Sequence, residues 1–129
     1  MTTRRVLAAA TGLALLGCTY GAGPDQRVDF VLVFQNSTTA LDPAASAIVD
    51  RAVRAARAAP DLDVTVAGYA DPSLTPESNQ ILSRIRAQTV ADALVQRGVP
   101  RSRVQLTPRR AIGADPGIES RRVDIRVGA

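Results

Sequence analysis

Short β-branched runs alternate along this chain with longer segments whose apolar residues recur every three or four positions. The short runs are predicted to be strands, because β-branched residues suit a pleated and buried surface. They lie at residues 28–34, 62–68, 103–106 and 123–127. The longer segments predict two amphipathic helices, one from Asp42-Pro43 to Pro60 and one from Thr75-Pro76-Glu77 to about Arg97. The predicted order is therefore β-α-β-α-β-β.

This order favours a sheet that contains both parallel and antiparallel neighbours. Strands separated by a helix tend to pair in parallel, whereas the last loop allows an antiparallel pair. We predict an α/β protein of the α+β sandwich type, with a mixed four-stranded sheet and both helices packed on one face. The apolar stripe of the first helix is expected to comprise Ile48, Val49, Ala52, Val53 and Ala56, and that of the second Leu82, Ile85, Val90, Ala93 and Leu94.

The residues between these elements have the chemistry of turns and caps. Asp42 and Thr75 are good N-caps, and each is followed by a proline suited to the first helical turn. Gly98 suits a left-handed helix end. Residues 69–74 are predicted to form a loop, and a longer loop is predicted to run from Pro108 past Arg109-Arg110 to the last strand.

The first eighteen residues have the pattern of a bacterial lipoprotein signal. Arg4-Arg5 precede an apolar run at residues 6–16, and Leu15-Leu16-Gly17-Cys18 closes it. The apolar run is too short to span a bilayer as a mature helix. We expect residues 1–17 to be a signal peptide, Cys18 to be lipidated, residues 18–27 to form a flexible tether, and residues 28–129 to form the domain. Thr19 is compatible with sorting to the outer membrane.

The composition excludes several kinds of chemistry. The chain has no histidine and one cysteine, so imidazole catalysis, a Cys/His dyad and an internal disulfide are impossible, and no metal site is expected. Without Arg4 and Arg5 the net charge falls from +4 to +2. We expect no catalytic activity, no cofactor and no nucleic-acid partner. Arg84, Arg97, Arg101 and Arg103 are predicted to be solvated, Arg109-Arg110 to be loop charge, and Arg121 and Arg122 to orient the last strand or neighbouring carboxylates.

Three motifs follow one another from the second strand into the second helix. Residues 68–71 read Gly-Tyr-Ala-Asp, Asn79 follows, and residues 82–90 read Leu-Ser-Arg-Ile-Arg-Ala-Gln-Thr-Val. Their order and spacing resemble those of the OmpA-like domain, the periplasmic module of OmpA C-terminal regions, peptidoglycan-associated lipoproteins and flagellar stator proteins. The pattern of that family is Gly-His-Thr-Asp, then Asn, then Leu-Ser-x-x-Arg-Ala-x-x-Val. Residues 121–125, Arg-Arg-Val-Asp-Ile, resemble the Arg-Arg-Val-Glu-Ile motif near the end of the family's domain. The resemblance covers residues 28–128 and implies the fold of OmpA C-terminal domains.

The resemblance also implies a ligand, the diaminopimelate side chain of peptidoglycan stem peptides. Its free end carries an ammonium group and a carboxylate. Asp71 is expected to accept from the ammonium group, and Arg86 to bind the carboxylate through its planar fork. Asn79 lies seven residues before Arg86 on the same helical face and is expected to support the site or to bind directly. The resemblance therefore implies an outer-membrane lipoprotein that tethers the envelope to peptidoglycan without covalent bonds.

The chain departs from the family pattern around this site. Tyr69 and Ala70 replace the usual His and Thr, Leu74 replaces a glycine, and Ser120 stands where an asparagine is common. These differences leave an alternative open, an envelope adaptor that has lost wall binding and acts through other envelope proteins. A wall hydrolase would need a carboxylate pair, such as Asp71 with Glu77 or Asp115, that no spacing selects.

Overall fold

The computed structural model describes residues 27–35, 38–70, 77–110 and 121–128, apart from the side chains of 70, 78, 79 and 108–110. The expected signal peptide, Cys18 and the tether up to residue 26 lie outside the described residues. The elements are β1 (Val28–Val33), α1 (Pro43–Ala58), β2 (Val64–Ala70), α2 (Glu77–Gln96), β3 (Val104–Arg110) and β4 (Arg122–Val127), with a 3₁₀ turn at Arg101–Arg103 before β3. The predicted order of strands and helices is confirmed.

The four strands form one mixed sheet in the order β1-β4-β2-β3. β4 is antiparallel to both of its neighbours, β1 and β2. β2 and β3, which α2 connects, are parallel. This arrangement places the C-terminal end of β1 and the N-terminal end of β4 side by side, with Val33 opposite Arg122.

Both helices pack on one face of the sheet, as predicted. β4 shows the underlying alternation, because Val123, Ile125 and Val127 are buried while Arg122, Asp124 and Arg126 are only partly buried. The buried residues join side chains of both helices in a single core that includes Val49, Val90 and Leu94. No described helix packs on the opposite face. We call it the open face; it carries Asp29, Val31, Val33, Thr65, Ala67, Tyr69, Arg122, Asp124 and Arg126.

The predicted ends of the helices are confirmed where the structure describes them. The Asp42 side chain accepts from the Ala45 N–H at 2.7 Å, so it caps α1. At the end of α2, Gly98 has a φ of +111°. The Val99 N–H donates to the Leu94 carbonyl at 3.0 Å and the Gly98 N–H to the Val95 carbonyl at 3.1 Å. These two bonds form a Schellman ending, which requires the backbone conformation that glycine permits. The expected Thr75-Pro76 cap lies outside the described residues.

Two predicted loops begin later than expected. Tyr69 belongs to β2, and its neighbour Ala70 ends that strand. Pro108, Arg109 and Arg110 extend β3 rather than opening the last loop. The reason is parallel pairing, in which Tyr69 lies opposite Arg109. Pro108 is tolerated because β3 is an edge strand.

The buried face of α2 also differs from the prediction. Ile85 is 46% exposed, whereas Ser83, Arg86 and Ala87 are buried. The buried stripe continues through Val90, Ala91 and Leu94, with helical spacing. The first half of α2 therefore packs through small and polar residues, and Ser83 and Ala87 approach β2 closely at Gly68.

Arg97 and Arg103 are structural, and their predicted role as solvated residues is wrong. Arg97 Nη1 donates to the Ser46 carbonyl and to Asp50 Oδ1, both at 2.8 Å. Arg103 binds the carbonyls of Ala56, Ala59 and Leu62 at the end of α1. Each arginine thus joins two elements that are distant in sequence. Arg84 is exposed as predicted, and so is Arg101.

Candidate ligand-binding site

The C-terminal end of β2 is held tightly against α2. A Cβ atom at Gly68 would lie 2.8 Å from the Ser83 carbonyl oxygen and 3.1 Å from the Ala87 Cβ. Ser83 Oγ donates a hydrogen bond to the Tyr69 carbonyl at 2.9 Å. Only glycine allows this approach, so the position of α2 along β2 is fixed near the point where β2 ends. Asp71, the residue that follows β2, lies outside the described residues.

Arg86 lies one turn of α2 beyond Ser83 and is almost completely buried, with 2% of its surface exposed. Its Nε donates to the Thr38 carbonyl at 2.8 Å and its Nη2 to the Gln35 carbonyl at 3.2 Å. The guanidinium carbon lies 5.5 Å from the centre of the Phe34 ring, a distance typical of a cation–π contact. The segment between β1 and α1 therefore holds the guanidinium in a fixed orientation.

Two described features lower the pKa of Arg86. Burial lowers the pKa of Arg86, and the nearby positive charge of Arg121 lowers it further. Arginine nevertheless stays protonated in proteins, so the site holds a constrained cation.

Arg121 reaches the same segment from the other side. Its Nη1 donates to the Phe34 carbonyl at 3.3 Å. The Phe34 N–H in turn donates to the Arg121 carbonyl at 2.9 Å, which continues the pairing of β1 with β4. The sequence predicted that Arg121 orients the last strand or neighbouring carboxylates, and the structure shows in addition that it contacts the end of β1. The Arg-Arg pair before a strand was the only signal for this role.

The predicted site residues are described to different extents. Arg86 lies within the described residues, and its burial was not predicted. Asn79 lies in α2, seven residues before Arg86, but its side chain is outside the described residues. Asp71 and Cys18 lie outside them as well, as do Leu74 and Ser120. That Asp71, Asn79 and Arg86 converge therefore stays a prediction.

A second cluster lies on the open face at the same end of the sheet. Arg122 binds both carboxylate oxygens of Asp124, at 2.7 and 2.8 Å. Tyr69 Oη donates to Asp124 Oδ2 at 2.8 Å, and the Arg122 guanidinium carbon lies 4.8 Å from the centre of the Tyr69 ring. The prediction that Arg122 orients a neighbouring carboxylate is confirmed by its contact with Asp124, whereas the part that Tyr69 plays in this cluster was not predicted. Tyr69 thus points to the face opposite the one against which α2 packs.

Two other features, a metal site and a membrane-spanning helix, are not found in the described parts of the chain. Those parts contain no group of three or more Asp, Glu, His or Cys residues placed to hold a metal ion. Among the same residues, no helix is both long and apolar enough to cross a membrane.

Comparisons with known proteins agree with the motifs. The profile of the OmpA family matches residues 33–123. A peptidoglycan-associated lipoprotein of Rhizobium meliloti is 33% identical over 100 residues, which cover 76% of this chain and 57% of that protein. The peptidoglycan-binding protein ArfA of Mycobacterium tuberculosis is 41% identical over 68 residues, 53% of this chain and 21% of that protein. The chain thus spans little more than half of the first relative and a fifth of the second.

Solved structures show the same fold. The OmpA-like domain of FopA1 from Francisella tularensis superimposes with a TM-score of 0.65 at 25% identity, covering 78% of this chain and 71% of that one. The peptidoglycan-associated lipoprotein from Burkholderia pseudomallei gives a TM-score of 0.62 at 21% identity, covering 76% and 89%. At 21% identity, the Burkholderia structure is evidence for a shared fold and for nothing more specific.

Proposed function

The chain belongs to the OmpA family, and we propose that it binds peptidoglycan and tethers the cell envelope to it without covalent bonds. The observation that carries this proposal is the buried Arg86, whose guanidinium is fixed by two carbonyls and an aromatic ring. The printed names of two relatives, a peptidoglycan-associated lipoprotein and a peptidoglycan-binding protein, support the same ligand. The proposed activity is binding, and no bond is broken.

The proposed ligand group is the free end of diaminopimelate, an ammonium group and a carboxylate on one carbon. Arg86 binds the carboxylate, Asp71 accepts from the ammonium group, and Asn79 supports the site or binds directly. Preorganisation supports Arg86 in this role, because a side chain that is already immobile loses little conformational entropy on binding. The planar guanidinium of arginine also matches the two oxygens of a carboxylate better than the ammonium group of a lysine side chain would.

The expected affinity for a single stem peptide is low. Charge-assisted hydrogen bonds each contribute roughly 1.5–3 kcal/mol. Association costs several kcal/mol or more in lost freedom, so we expect a Kd of about micromolar to millimolar. A polymeric wall presents many such groups to a protein held at a membrane, so many weak contacts together give a durable attachment.

The proposed attachment to the membrane is a lipid on Cys18. After cleavage behind residue 17, the tether at residues 18–27 leads into β1, and the domain at 28–129 lies in the periplasm beside the outer membrane. The support is the Leu-Leu-Gly-Cys sequence alone. Growth with labelled palmitate tests it. The wild-type chain should carry the label, and the Cys18→Ser variant should not; a labelled variant would overturn the proposal.

Sedimentation with purified cell wall tests the ligand. The protein, purified in detergent, should pellet with diaminopimelate-containing peptidoglycan. It should stay in solution with peptidoglycan that has lysine at that position, because lysine lacks the second carboxylate. Asp71→Ala and Arg86→Lys should both abolish pelleting, whereas the control Arg84→Lys should not, because Arg84 is exposed on the same helix. Equal pelleting with both walls would refute diaminopimelate recognition.

A second candidate function is protein binding in the envelope. The observation that favours it is the exposure of Val31 and Val33 on the open face, 45% and 43%. Apolar side chains in contact with water are common at protein interfaces. This candidate predicts that the folded wild-type protein stays in solution with both kinds of wall, an outcome that contradicts the proposed tether.

A further inference from the structure

The outer side of α1 carries a row of arginines in its second half. Arg51, Arg54 and Arg57 are all exposed and follow one another at intervals of three residues. Side chains at that spacing lie on one side of a helix. The acidic residue of α1 is Asp50, and the Arg97 side chain already binds it. We call Arg51, Arg54 and Arg57 the arginine face.

The printed surface of the arginine face is positive and in contact with water. In the part of the chain that the structure describes, no carboxylate forms an ion pair with any of its three members. The Arg51 guanidinium carbon lies 5.9 Å from the centre of the Phe30 ring. Arg57 Nη2 donates to the Arg97 carbonyl at 2.9 Å. A ring and a carbonyl have no net charge, so these contacts orient the arginines without neutralising them.

The arginine face lies near the point where the chain enters the domain. A short connection joins the end of α1 to Val64, the first residue of β2. Val64 lies opposite Val127, which in turn lies opposite Val28, the first residue of β1. The contact of Arg51 with Phe30 places the middle of α1 beside the first half of β1. The second half of α1 and the start of β1 are therefore at the same end of the sheet.

The proposed membrane anchor precedes this end by a short length of chain. Ten residues, 18–27, separate the anchored end at Cys18 from Val28. A chain of ten residues spans at most about 35 Å. Charges interact over about 8 Å at physiological salt, so only the part of the domain nearest the bilayer meets its surface charge. Arg86 and the Phe34–Thr38 segment are at the other end of β1.

We infer that the arginine face docks on the anionic headgroups of the bilayer that holds the anchor. This inference rests on the proposed lipid on Cys18. Each arginine beside an anionic lipid surface favours contact by about fivefold. The anchor keeps the domain close to the surface, so contacts that are weak one by one suffice. Docking through the second half of α1 keeps the Arg86 end of the domain away from the bilayer and accessible to the wall.

The experiment measures the distance of α1 from the headgroups. The mature lipidated protein is reconstituted into vesicles in which some headgroups carry a fluorescence quencher. The lipid occupies Cys18, so Ala58→Cys supplies the single thiol for a fluorophore at the exposed end of α1. Gln105→Cys, exposed next to Thr65 of the open face, is the control for the label position. Time-resolved fluorescence gives the ratio of quenched to unquenched label.

We expect the Ala58 label to report contact in anionic vesicles. Its ratio should be about a hundredfold higher with phosphatidylglycerol than with phosphatidylcholine alone, the product of three fivefold factors. Arg54→Gln should lower the ratio by about fivefold, and Arg54→Lys should keep it, because attraction to headgroups depends on charge. Arg84→Gln changes the net charge equally but lies in the first half of α2, so it should leave the ratio unchanged. The Gln105 label should not respond to phosphatidylglycerol.

The outcomes separate this inference from the proposals on which it rests. Equal ratios in the two kinds of vesicle, or an unchanged ratio in Arg54→Gln, overturn the inference and leave the anchor and wall binding intact. A protein without lipid overturns the anchor and the inference together. If Arg54→Gln weakens pelleting with peptidoglycan but not contact with vesicles, the arginine face serves the wall, and the inference is wrong.

Salt provides a second measurement that needs no substitution in the arginine face. Raising the salt concentration from about 0.05 M to about 0.5 M shortens the range of the attraction, so the difference between the two kinds of vesicle should disappear. A difference that persists at high salt would show that the contact does not depend on charge, and would contradict the inference.

Discussion

Gly68 lies against Ser83 so closely that a methyl group at position 68 would be 2.8 Å from the Ser83 carbonyl oxygen. The obstacle is backbone, which cannot rotate away as a long side chain can. The contact joins the last residues of β2 to the first half of α2. The proposed ligand residues belong to the same two regions, since Asp71 follows β2 and Arg86 is in α2. The spacing between strand and helix therefore determines the spacing within the site.

Gly68→Ala should both destabilise the domain and weaken wall binding. We expect the free energy of unfolding to fall by about 1–3 kcal/mol, the usual cost of overpacking. α2 must move away from β2 to admit the methyl group, which displaces Arg86 from Thr38. Urea denaturation measures the first effect and the Kd for a muropeptide the second. Ala67→Gly, at the neighbouring position on the open face, is a control that should leave the Kd unchanged. An unchanged Kd in folded Gly68→Ala would contradict the proposed coupling.

Arg86→Lys should destabilise the protein even though it keeps the charge. Lysine cannot reach the Gln35 and Thr38 carbonyls with the geometry of the guanidinium, so the segment loses hydrogen bonds to a charged donor. Each such bond contributes about 1.5–3 kcal/mol. Arg84→Lys, on the exposed side of the same helix, should change the free energy of unfolding by less than about 0.5 kcal/mol. Equal losses in the two variants would show that Arg86 does not brace the segment.

Arg103→Ala should loosen the C-terminal end of α1. Arg103 donates to the carbonyl of Ala56 in the last turn of α1 and to those of Ala59 and Leu62 just beyond it. We expect a loss of about 1–3 kcal/mol and faster amide exchange in the last turn of α1. The control is Arg101→Ala, because the Arg101 side chain is 69% exposed and its pair with Asp92 spans 3.5 Å. Exposed pairs contribute about 0–1 kcal/mol, so the control should change little.

Tyr69→Phe should reduce stability slightly and leave wall binding unchanged. The variant loses the hydrogen bond to Asp124, while Arg122 still binds both carboxylate oxygens. The expected loss is about 0.5–1.5 kcal/mol. The ring lies on the open face, on the side of the sheet opposite α2. The Kd for a muropeptide should therefore stay within about twofold of the wild-type value, whereas the loss of a binding contact worth about 1.4 kcal/mol would raise it tenfold. A large rise in Kd would show that the site extends to the open face.

The sequence was most informative where structure depends on neighbouring residues. Asp42-Pro43 predicted the start of α1, Gly98 predicted the end of α2, and the alternation at residues 123–127 predicted β4. Each of these signals acts within a few residues of the structure it determines.

The missed features depend on residues that are distant in sequence. Ile85 was expected inside because it is large and apolar, but the space beside Gly68 admits only small residues such as Ser83 and Ala87. Arg103 was expected in water, and its carbonyl partners lie 41 to 47 positions earlier. No local pattern encodes such contacts. Asp71 and Asn79 were identified from motifs alone, and the positions and contacts of their side chains stay predictions.

The direction of β1 has a mechanical consequence. The chain enters the domain at Val28, and the Phe34–Thr38 segment that Arg86 holds lies at the opposite end of the strand. Tension between a membrane anchor before Val28 and a wall ligand near Arg86 would act along the axis of β1. All six residue pairs between β1 and β4 would then be loaded together in shear. A strand pulled in this way resists force more strongly than one whose hydrogen bonds are peeled apart one after another.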